Sequence, residues 1–425
     1  MNPIVSDKIS DGIVFNRIKD SRFKTMRLSA HIFMPLSEST NAENALLCYL
    51  LVRCCRKYPD FTTLSKKLSY LYGAELSGSV TKVGDTQCLN ITVSGLDDRY
   101  AIDDESISAQ LGELLCEIIF NPKVIGEAFC EDDLAQEKRQ TLDMIDSEFS
   151  DKRVYASQRL IEEMCADEAF GIKRMGTKER VSAVTAQDVY RAWLNMLKTA
   201  RFEFIFTGDA DPGDVRNLIA SSFGKIDRQF INPVTAFSKG TDGLNDVVEE
   251  MDVAQSKLEM GFIVKDLASA EDINAARLMS AILGGTASSK LFTNVREKKS
   301  LCYYCASRFI KLKGIMMVES GVETANIAQT REAVLAEIED MKNGVISDFE
   351  IQSAKLAVVN SFFGVVDTVG GITGWYASQL MDGSFDTPAQ AAEKINAITK
   401  EQIVSAANKL KLDTVFVLRS KGLTE

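Results

Sequence analysis

The chain has 425 residues, of which 45% are hydrophobic and 26% charged, and this length and composition favour a globular protein of more than one domain. Its formal net charge of −11 argues against nucleic acid as a main partner, because phosphate binding requires a basic surface. We expect no membrane partner and a reduced, cytoplasmic protein, since no leader or long apolar run is visible and the nine cysteines are odd in number and scattered.

Apolar periodicity predicts the main elements in chain order. Residues 22–34 alternate, with one apolar face, as a half-buried strand does, and residues 45–57 are apolar almost all round, which predicts a buried helix. Residues 228–245, with Pro233, Gly240 and Gly243, indicate a linker. Helices are predicted to start at Thr185 and Thr399, and further strands are predicted at residues 88–96, 201–209, 301–309, 314–322 and 414–422.

Several segments occur twice in the same order. YASQ is found at residues 155–158 and 376–379, VSAVTAQDV at 181–189 is similar to INAITKEQI at 395–403, and EDDLAQEK at 131–138 is similar to DFEIQSAK at 348–355. The separations of 221, 214 and 217 residues indicate tandem duplication of a large unit. We therefore predict an α+β fold of two tandem sandwich domains, each an antiparallel sheet with helices packed on one face. The domains are placed at residues 1–228 and 248–425, with a linker at 229–247.

The stretch KLFTNVREKKSLCYYCASRF, residues 290–309, places Arg296 and, seven residues later, Tyr303 among core-type residues. If residues 290–297 are helical and 301–309 form a strand, both side chains flank one turn and can point into one hollow. The alternative is that Arg296 pairs with a neighbouring acid and Tyr303 caps the sheet edge. Cys302 and Cys305 have the spacing of a redox pair, but residues i and i+3 of a regular strand point to opposite faces, so we expect no redox role.

The sequence GGTASSKLFTNVREKKSLCYY, residues 284–304, resembles the insulinase/pitrilysin family of zinc peptidases. The corresponding family stretch reads roughly S-R-L-F-x-x-V-R-E-x-x-G-L-A-Y after a glycine. Ser300 stands where the family usually has Gly, and Lys290 where it often has Arg. The matching residues are Gly284, Ser289, Leu291, Phe292, Val295, Arg296, Glu297, Leu301 and Tyr303. The resemblance covers nearly the whole chain, implies a fold like that of the mitochondrial processing peptidase, and is strongest to the bacterial two-chain group and its YfmF-like subgroup, which lacks the zinc motif.

Active members carry H-x-x-E-H on a helix, where two His at i and i+4 bind Zn²⁺ and the Glu acts as base. The resemblance places this motif within residues 46–51, which read Leu-Leu-Cys-Tyr-Leu-Leu. The further ligand, seven residues after Glu137, falls on Met144, which looks like a core residue, and the single histidine is His31. Cys48, Cys54 and Cys55 fit buried apolar positions better than ligand positions. We expect no metal and no other cofactor in this chain, and no activity by the chain alone.

The resemblance assigns Arg296 and Tyr303 to the pair that stabilises the oxyanion of the attacked carbonyl. The leading hypothesis is a non-catalytic subunit of a heterodimeric zinc peptidase. The chain would supply both residues to the active site of a partner that bears H-x-x-E-H and holds the zinc, and would close a chamber over peptides. The alternative is a homodimeric peptide-binding clamp or scaffold without proteolysis, which family naming connects with the modification of elongation factor P. In a third case, an autonomous zinc peptidase, each chain would hold one zinc ion.

Overall fold

A computed structural model describes residues 3–421 of the chain. These residues form two compact units, each assembled from separate segments of the sequence. Unit 1 contains residues 3–146, Ile172–Thr235 and Val365–Thr387, and unit 2 contains Ser147–Gly171, Ala236–Gly364 and residues 388–421.

The described residues contain thirteen strands and fourteen α-helices. The strands are β1 (Val5–Ser10), β2 (Ile13–Lys19), β3 (Thr25–Pro35), β4 (Glu75–Val83), β5 (Thr86–Leu96), β6 (Val124–Ile125), β7 (Ala128–Phe129), β8 (Arg201–Gly208), β9 (Asn245–Met251), β10 (Ser256–Val264), β11 (Cys302–Ile310), β12 (Ile315–Val322) and β13 (Leu410–Ser420). The helices are α1 (Asn41–Arg53), α2 (Phe61–Tyr70), α3 (Ile107–Phe120), α4 (Glu131–Ser150), α5 (Lys152–Met164), α6 (Lys178–Ala183), α7 (Ala186–Thr199), α8 (Gly213–Phe223), α9 (Ala270–Ser280), α10 (Ile327–Lys342), α11 (Asp348–Gly364), α12 (Val369–Ala377), α13 (Pro388–Ala397) and α14 (Lys400–Asn408). Two π-helical segments, Ala281–Gly285 and Leu291–Lys298, follow α9.

The sheet of unit 1 has six strands in the order β1-β2-β8-β3-β5-β4, and only the β2–β8 pair is parallel. The predicted alternation along β3 is confirmed: Met26, Leu28, Ala30, Ile32 and Met34 are buried in the main core together with apolar residues of α1, α3 and α7. The opposite face of the sheet carries a smaller cluster, in which α12 and the residues after it pack on the strands. Its buried members are Ile18, Phe33, Cys88, Ile205, Ile372, Tyr376 and Leu380.

The sheet of unit 2 has five strands in the order β11-β12-β10-β13-β9, and only the β13–β9 pair is parallel. One of its faces is covered by the single helix α5, whose Leu160 and Met164 pack with Ile263 and Met317. Gly261 makes this close approach possible, because a Cβ atom there would lie 2.7 Å from the sulfur of Met164.

The two sheets repeat one topology, since β2-β8-β3-β5-β4 corresponds strand by strand to β9-β13-β10-β12-β11. The predicted α+β class and the duplication are confirmed. Two details differ from the predicted antiparallel sheet with helices on one face: each sheet contains one parallel pair, and each carries one helix on its second face. The YASQ sequences mark these helices, because residues 155–158 lie in α5 and residues 376–379 span the end of α12. Each sequence repeat therefore contributes one helix to the unit that is built mainly from the other repeat.

Local signals in the sequence also agree with the structure. Thr185 and Thr399 begin α7 and α14 with complete capping boxes, in which Asp188 and Gln402 return the hydrogen bond. Residues 224–244 form no helix or strand, and β9 begins at Asn245, within the range 229–247 predicted as a linker. Among residues 3–421, none of the helices combines the length and apolar character needed to cross a membrane.

Candidate functional site

Helix α1 occupies the position at which the resemblance expects the zinc motif. Leu46, Leu47, Cys48, Leu50 and Leu51 are buried in the core of unit 1. The Cys48 thiol donates to the carbonyl of Ser79 at 3.5 Å, and burial raises the pKa of Cys48 to about 12. A protonated thiol among leucines is a poor zinc ligand, because Zn²⁺ binds thiolate, neutral imidazole or carboxylate groups.

An ion-pair cluster joins the helices from which the resemblance would draw zinc ligands. Arg53, the last residue of α1, contacts two carboxylates of α4, Asp133 at 2.8 Å and Glu137 at 3.0 Å. Burial raises the pKa of Glu137, and Arg53 opposes this shift. Met144, seven residues further along α4, is 37% exposed, so the prediction that it is a core residue is wrong. The carboxylates of α4 are thus engaged by a guanidinium group, and residue 144 carries no metal-binding atom of the usual kind.

His31 lies on β3 and has both ring nitrogens in hydrogen bonds. Nδ1 is 2.7 Å from Asn90 Oδ1 and Nε2 is 3.1 Å from Ser29 Oγ. Burial lowers the pKa of His31 to about 4, so the ring is neutral at pH 7. Among residues 3–421, no group of three or more His, Cys, Asp or Glu side chains has the arrangement needed to hold a metal ion. The residues present therefore do not fit the catalytic zinc of the family.

Arg296 lies in the π-helical segment Leu291–Lys298, where its side chain is 39% exposed. Its guanidinium Nε is 3.6 Å from a carboxylate oxygen of Glu297, and its Cζ lies 4.6 Å from the centre of the Phe292 ring. Val295, the preceding residue, is fully buried and fixes the segment to the core of unit 2. The positive charge of Arg296 is thus held at the surface by contacts with residues of the same π-helical segment.

Tyr303 lies on β11, an edge strand of its sheet, and is 59% exposed. Its hydroxyl donates to Glu323 at 2.5 Å, and this hydrogen bond raises the pKa of Tyr303. The contacts recorded for Arg296 and Tyr303 go to different neighbours, and none joins the two side chains to each other. Both are nevertheless at the surface and available to a molecule that binds there.

The structure around these two residues explains two departures from the family pattern. Ser300 has φ = 51°, the left-handed region that glycine adopts without strain, so the turn requires the backbone conformation that the usual Gly would supply. Lys290 is buried, with its amino group 3.1 Å from Glu350 and 4.0 Å from Glu337. Lys290 is therefore part of the internal support of this segment.

Two features of this sheet were missed from the sequence. The first is a β-bulge between Cys302 and Tyr304, which changes the faces to which the following side chains point. The second is a buried carboxylate on the face under α5: Glu259 is fully buried, and neither of its oxygens has a hydrogen-bond partner in the described part of the chain. Burial, followed by the neighbouring Glu319, raises its pKa well above the usual value. A glutamate in the apolar segment KLEMGFIV was the available signal for this group.

Residues 183–358 match the family model described as the Peptidase M16 inactive domain. The curated protein "Probable inactive metalloprotease YmfF" of Bacillus subtilis is 30% identical over 409 residues, which cover 96% of this chain and 96% of that protein. The predicted subgroup without the zinc motif is confirmed, although its name is YmfF-like rather than YfmF-like.

Solved structures agree over the whole chain. A conserved protein from Enterococcus faecalis aligns over 100% of both chains with a TM-score of 0.92 and 26% identity. A Peptidase M16 inactive domain from Pseudomonas fluorescens aligns over 98% of both chains with a TM-score of 0.79 and 17% identity, which shows a shared fold. The chain belongs to the M16 peptidase family, as a homologue without the catalytic zinc ligands.

Proposed function

We propose that this chain is the zinc-less subunit of a heterodimeric M16 peptidase and that it supplies Arg296 and Tyr303 to the active site of its partner. The observation that carries the proposal is the contrast between two regions. The helix expected to bind zinc is an apolar core helix, whereas the side chains of Arg296 and Tyr303 reach the surface beside an edge strand.

The chemistry of the two side chains suits this role. A peptide carbonyl under attack develops negative charge on its oxygen, and donors placed around that oxygen lower the barrier. Arg296 offers a permanently charged planar donor group and Tyr303 a neutral hydroxyl. Stacking on the Phe292 ring restrains the guanidinium group, and the phenol of Tyr303, which lies at the bulge in β11, is exposed.

Assembly must change one contact. The Tyr303 hydroxyl donates to Glu323 in the free chain, and it can donate to a substrate oxygen only after leaving that carboxylate. Glu323 is exposed, so water can replace the phenol as its partner at small cost. We therefore expect Tyr303 to be positioned for catalysis only in the complex.

The proposal is tested by mixing the purified chain with a homologue that bears H-x-x-E-H. We expect the two to elute together and peptide hydrolysis to require both. Metal analysis should find zinc in the complex and none in this chain alone. Full hydrolysis by the zinc-bearing homologue without this chain would overturn the proposal.

The Tyr303–Glu323 hydrogen bond also favours a second candidate, a peptide-binding clamp or scaffold without proteolysis. In that case the phenol is held within its own chain, and the protein forms a homodimer that binds peptides. We assign the connection with elongation factor P modification to this candidate. Size-exclusion chromatography distinguishes the heterodimeric peptidase from the clamp. A stable homodimer that binds peptides and does not bind zinc-bearing homologues supports the clamp.

A further inference from the structure

The β-bulge in β11 brings two cysteines to the same face of the sheet. Cys302 pairs with Val322 and Cys305 pairs with Ser320 on β12, with the register shift between Cys302 and Tyr304. Three residue steps on β11 thus correspond to two steps on β12. Directly paired residues share a face, and residues two apart on one strand share a face. The prediction that Cys302 and Cys305 point to opposite faces is therefore wrong.

The two thiols are hydrogen-bond partners with different surroundings. The Cys305 thiol and the side chain of Ser320, whose hydroxyl donates to the carbonyl of Tyr304 at 2.9 Å, lie beside Cys302, and the charge of Arg296 acts on the same sulfur. These groups, the Cys305 hydrogen bond first, lower the pKa of Cys302 to about 7. The same hydrogen bond and burial raise the pKa of Cys305. Cys302 is half-buried whereas Cys305 is 4% exposed, so a reagent from solvent reaches Cys302 first.

We propose that Cys302 and Cys305 form a redox-modification site whose substrate is a hydroperoxide such as hydrogen peroxide. Cys302 attacks the hydroperoxide and is oxidised first, and Cys305 then resolves the product as a disulfide. This division follows from exposure, because Cys302 is half-buried and Cys305 is buried. It makes no use of zinc, of a partner subunit or of the proposed peptidase role, so it stands or falls separately from them.

The reaction balances in two steps. The Cys302 thiolate attacks one peroxide oxygen, the O–O bond breaks, and the departing hydroxide takes a proton from solvent and leaves as water. Sulfur has lost two electrons to the peroxide and is now a sulfenic acid. Cys305, after giving its proton to solvent, attacks this sulfur; the S–O bond breaks, the S–S bond forms, and hydroxide leaves with a proton as a second water molecule.

The backbone spacing permits this bond. Two steps along β12 at about 3.3–3.4 Å each separate Val322 from Ser320 by about 6.7 Å, and the Cα atoms of their partners Cys302 and Cys305 have a similar separation. Disulfides span Cα separations up to about 6.8 Å. The Cα separation is near the upper limit, and a disulfide also requires Cβ atoms only about 3.5–4.5 Å apart. The strand must therefore tighten at the bulge when the bond forms, and such a strained bond should be readily reduced, which suits a reversible modification.

The test uses the full, reduced chain, treated with hydrogen peroxide at pH 7, blocked with iodoacetamide and digested for mass spectrometry. Cys130 is the matched internal control, because it is the other half-buried cysteine, but it lies beside the carboxylate of Asp133 rather than beside a thiol. We expect Cys302 to oxidise on the order of tenfold faster than Cys130. The peptide that contains both cysteines should lose a pair of hydrogen atoms and regain them with dithiothreitol.

Two variants separate the roles of the thiols. In Cys305→Ser the reaction should stop at a sulfenic acid on Cys302 that dimedone traps, and in Cys302→Ser position 305 should remain unoxidised. The wild-type comparison needs neither variant to fold. Oxidation of Cys302 no faster than that of Cys130, or loss of both thiols into bonds with other cysteines, would overturn the proposal.

Discussion

Tyr303 and Tyr304 are adjacent on β11 but have opposite environments. Tyr303 is 59% exposed and donates to Glu323, whereas the Tyr304 hydroxyl is buried and has no hydrogen-bond partner in the described part of the chain. The ring of Tyr304 lies against Arg153, with the guanidinium carbon 4.6 Å from the ring centre. The pair therefore provides a comparison in which the same change, loss of one phenolic hydroxyl, has different consequences.

Tyr303→Phe in the assembled complex should lower kcat by about 10²–10³, the usual effect of removing one oxyanion donor. Melting temperature and assembly should change little, because the side chain is exposed. Tyr304→Phe is the matched control; it should leave kcat unchanged and raise the unfolding free energy by about 1 kcal/mol, since an unpaired buried hydroxyl is removed. A lower melting temperature with unchanged kcat in Tyr303→Phe would assign Tyr303 a purely structural role.

Glu259 makes stability depend on pH. Its pKa in the folded chain is raised well above the ordinary glutamate value of 4.5, mainly by burial and by Glu319, while Arg308, Arg153 and Lys257 oppose the shift. The unfolded chain therefore loses this proton first, and the unfolding free energy should fall as pH rises above about 4.5. The variant Glu259→Gln retains the shape of the side chain but has no group that titrates.

Urea unfolding at pH 5 and pH 8 measures this effect. We expect the stability of Glu259→Gln relative to wild type to increase with pH. The exposed Glu332→Gln on α10 serves as the control and should show no such trend. Parallel pH dependence of the wild type and Glu259→Gln would mean that this carboxyl group titrates normally.

At the scale of elements, α1 and α4 are joined by Arg53, Asp133 and Glu137. Replacing Arg53 with Met leaves Glu137 buried without its counter-charge, and we expect the unfolding free energy to fall by about 3 kcal/mol. The additional change Glu137→Gln should restore much of the loss, because a neutral amide needs no counter-charge. Urea denaturation of both variants, with the exposed Arg56→Met as control, checks this. Equal stability of Arg53→Met and Arg56→Met would contradict it.

The elements predicted correctly are those whose signals are local. Met26 to Met34 alternate over a whole strand, residues 45–57 are apolar throughout, and Thr185 and Thr399 carry their own capping partners. The bulge at Cys302 depends on how β11 pairs with β12, and the burial of Glu259 depends on α5, which lies almost a hundred residues earlier in the sequence. Such features arise from contacts between segments that are distant in the sequence, so the residue pattern of one strand does not predict them.

At the scale of the whole molecule, neither sequence repeat contains all of one unit. A chain cut between Thr235 and Ala236 leaves the first fragment without α12, so Ile18, Phe33 and Ile205 lose the apolar side chains that cover them. We expect fragment 1–235 to be unfolded or aggregated alone and to fold when co-expressed with 236–425. The control is the full chain with a protease site inserted at this position, measured before it is cut. Native-like circular dichroism and melting of the isolated fragment would contradict the prediction.

The exchanged helices also matter while the protein is being made. The last segment of unit 1 begins at Val365, well over a hundred residues after Thr235 ends its preceding segment. At the usual translation rates, roughly 7–26 s pass between the synthesis of these two positions. During that interval the nascent sheet presents Ile18, Phe33 and Ile205 without their covering helix. The nascent chain thus exposes an incomplete apolar surface before α12 has been synthesised. We expect a chaperone that binds exposed apolar strands to act mainly during this period.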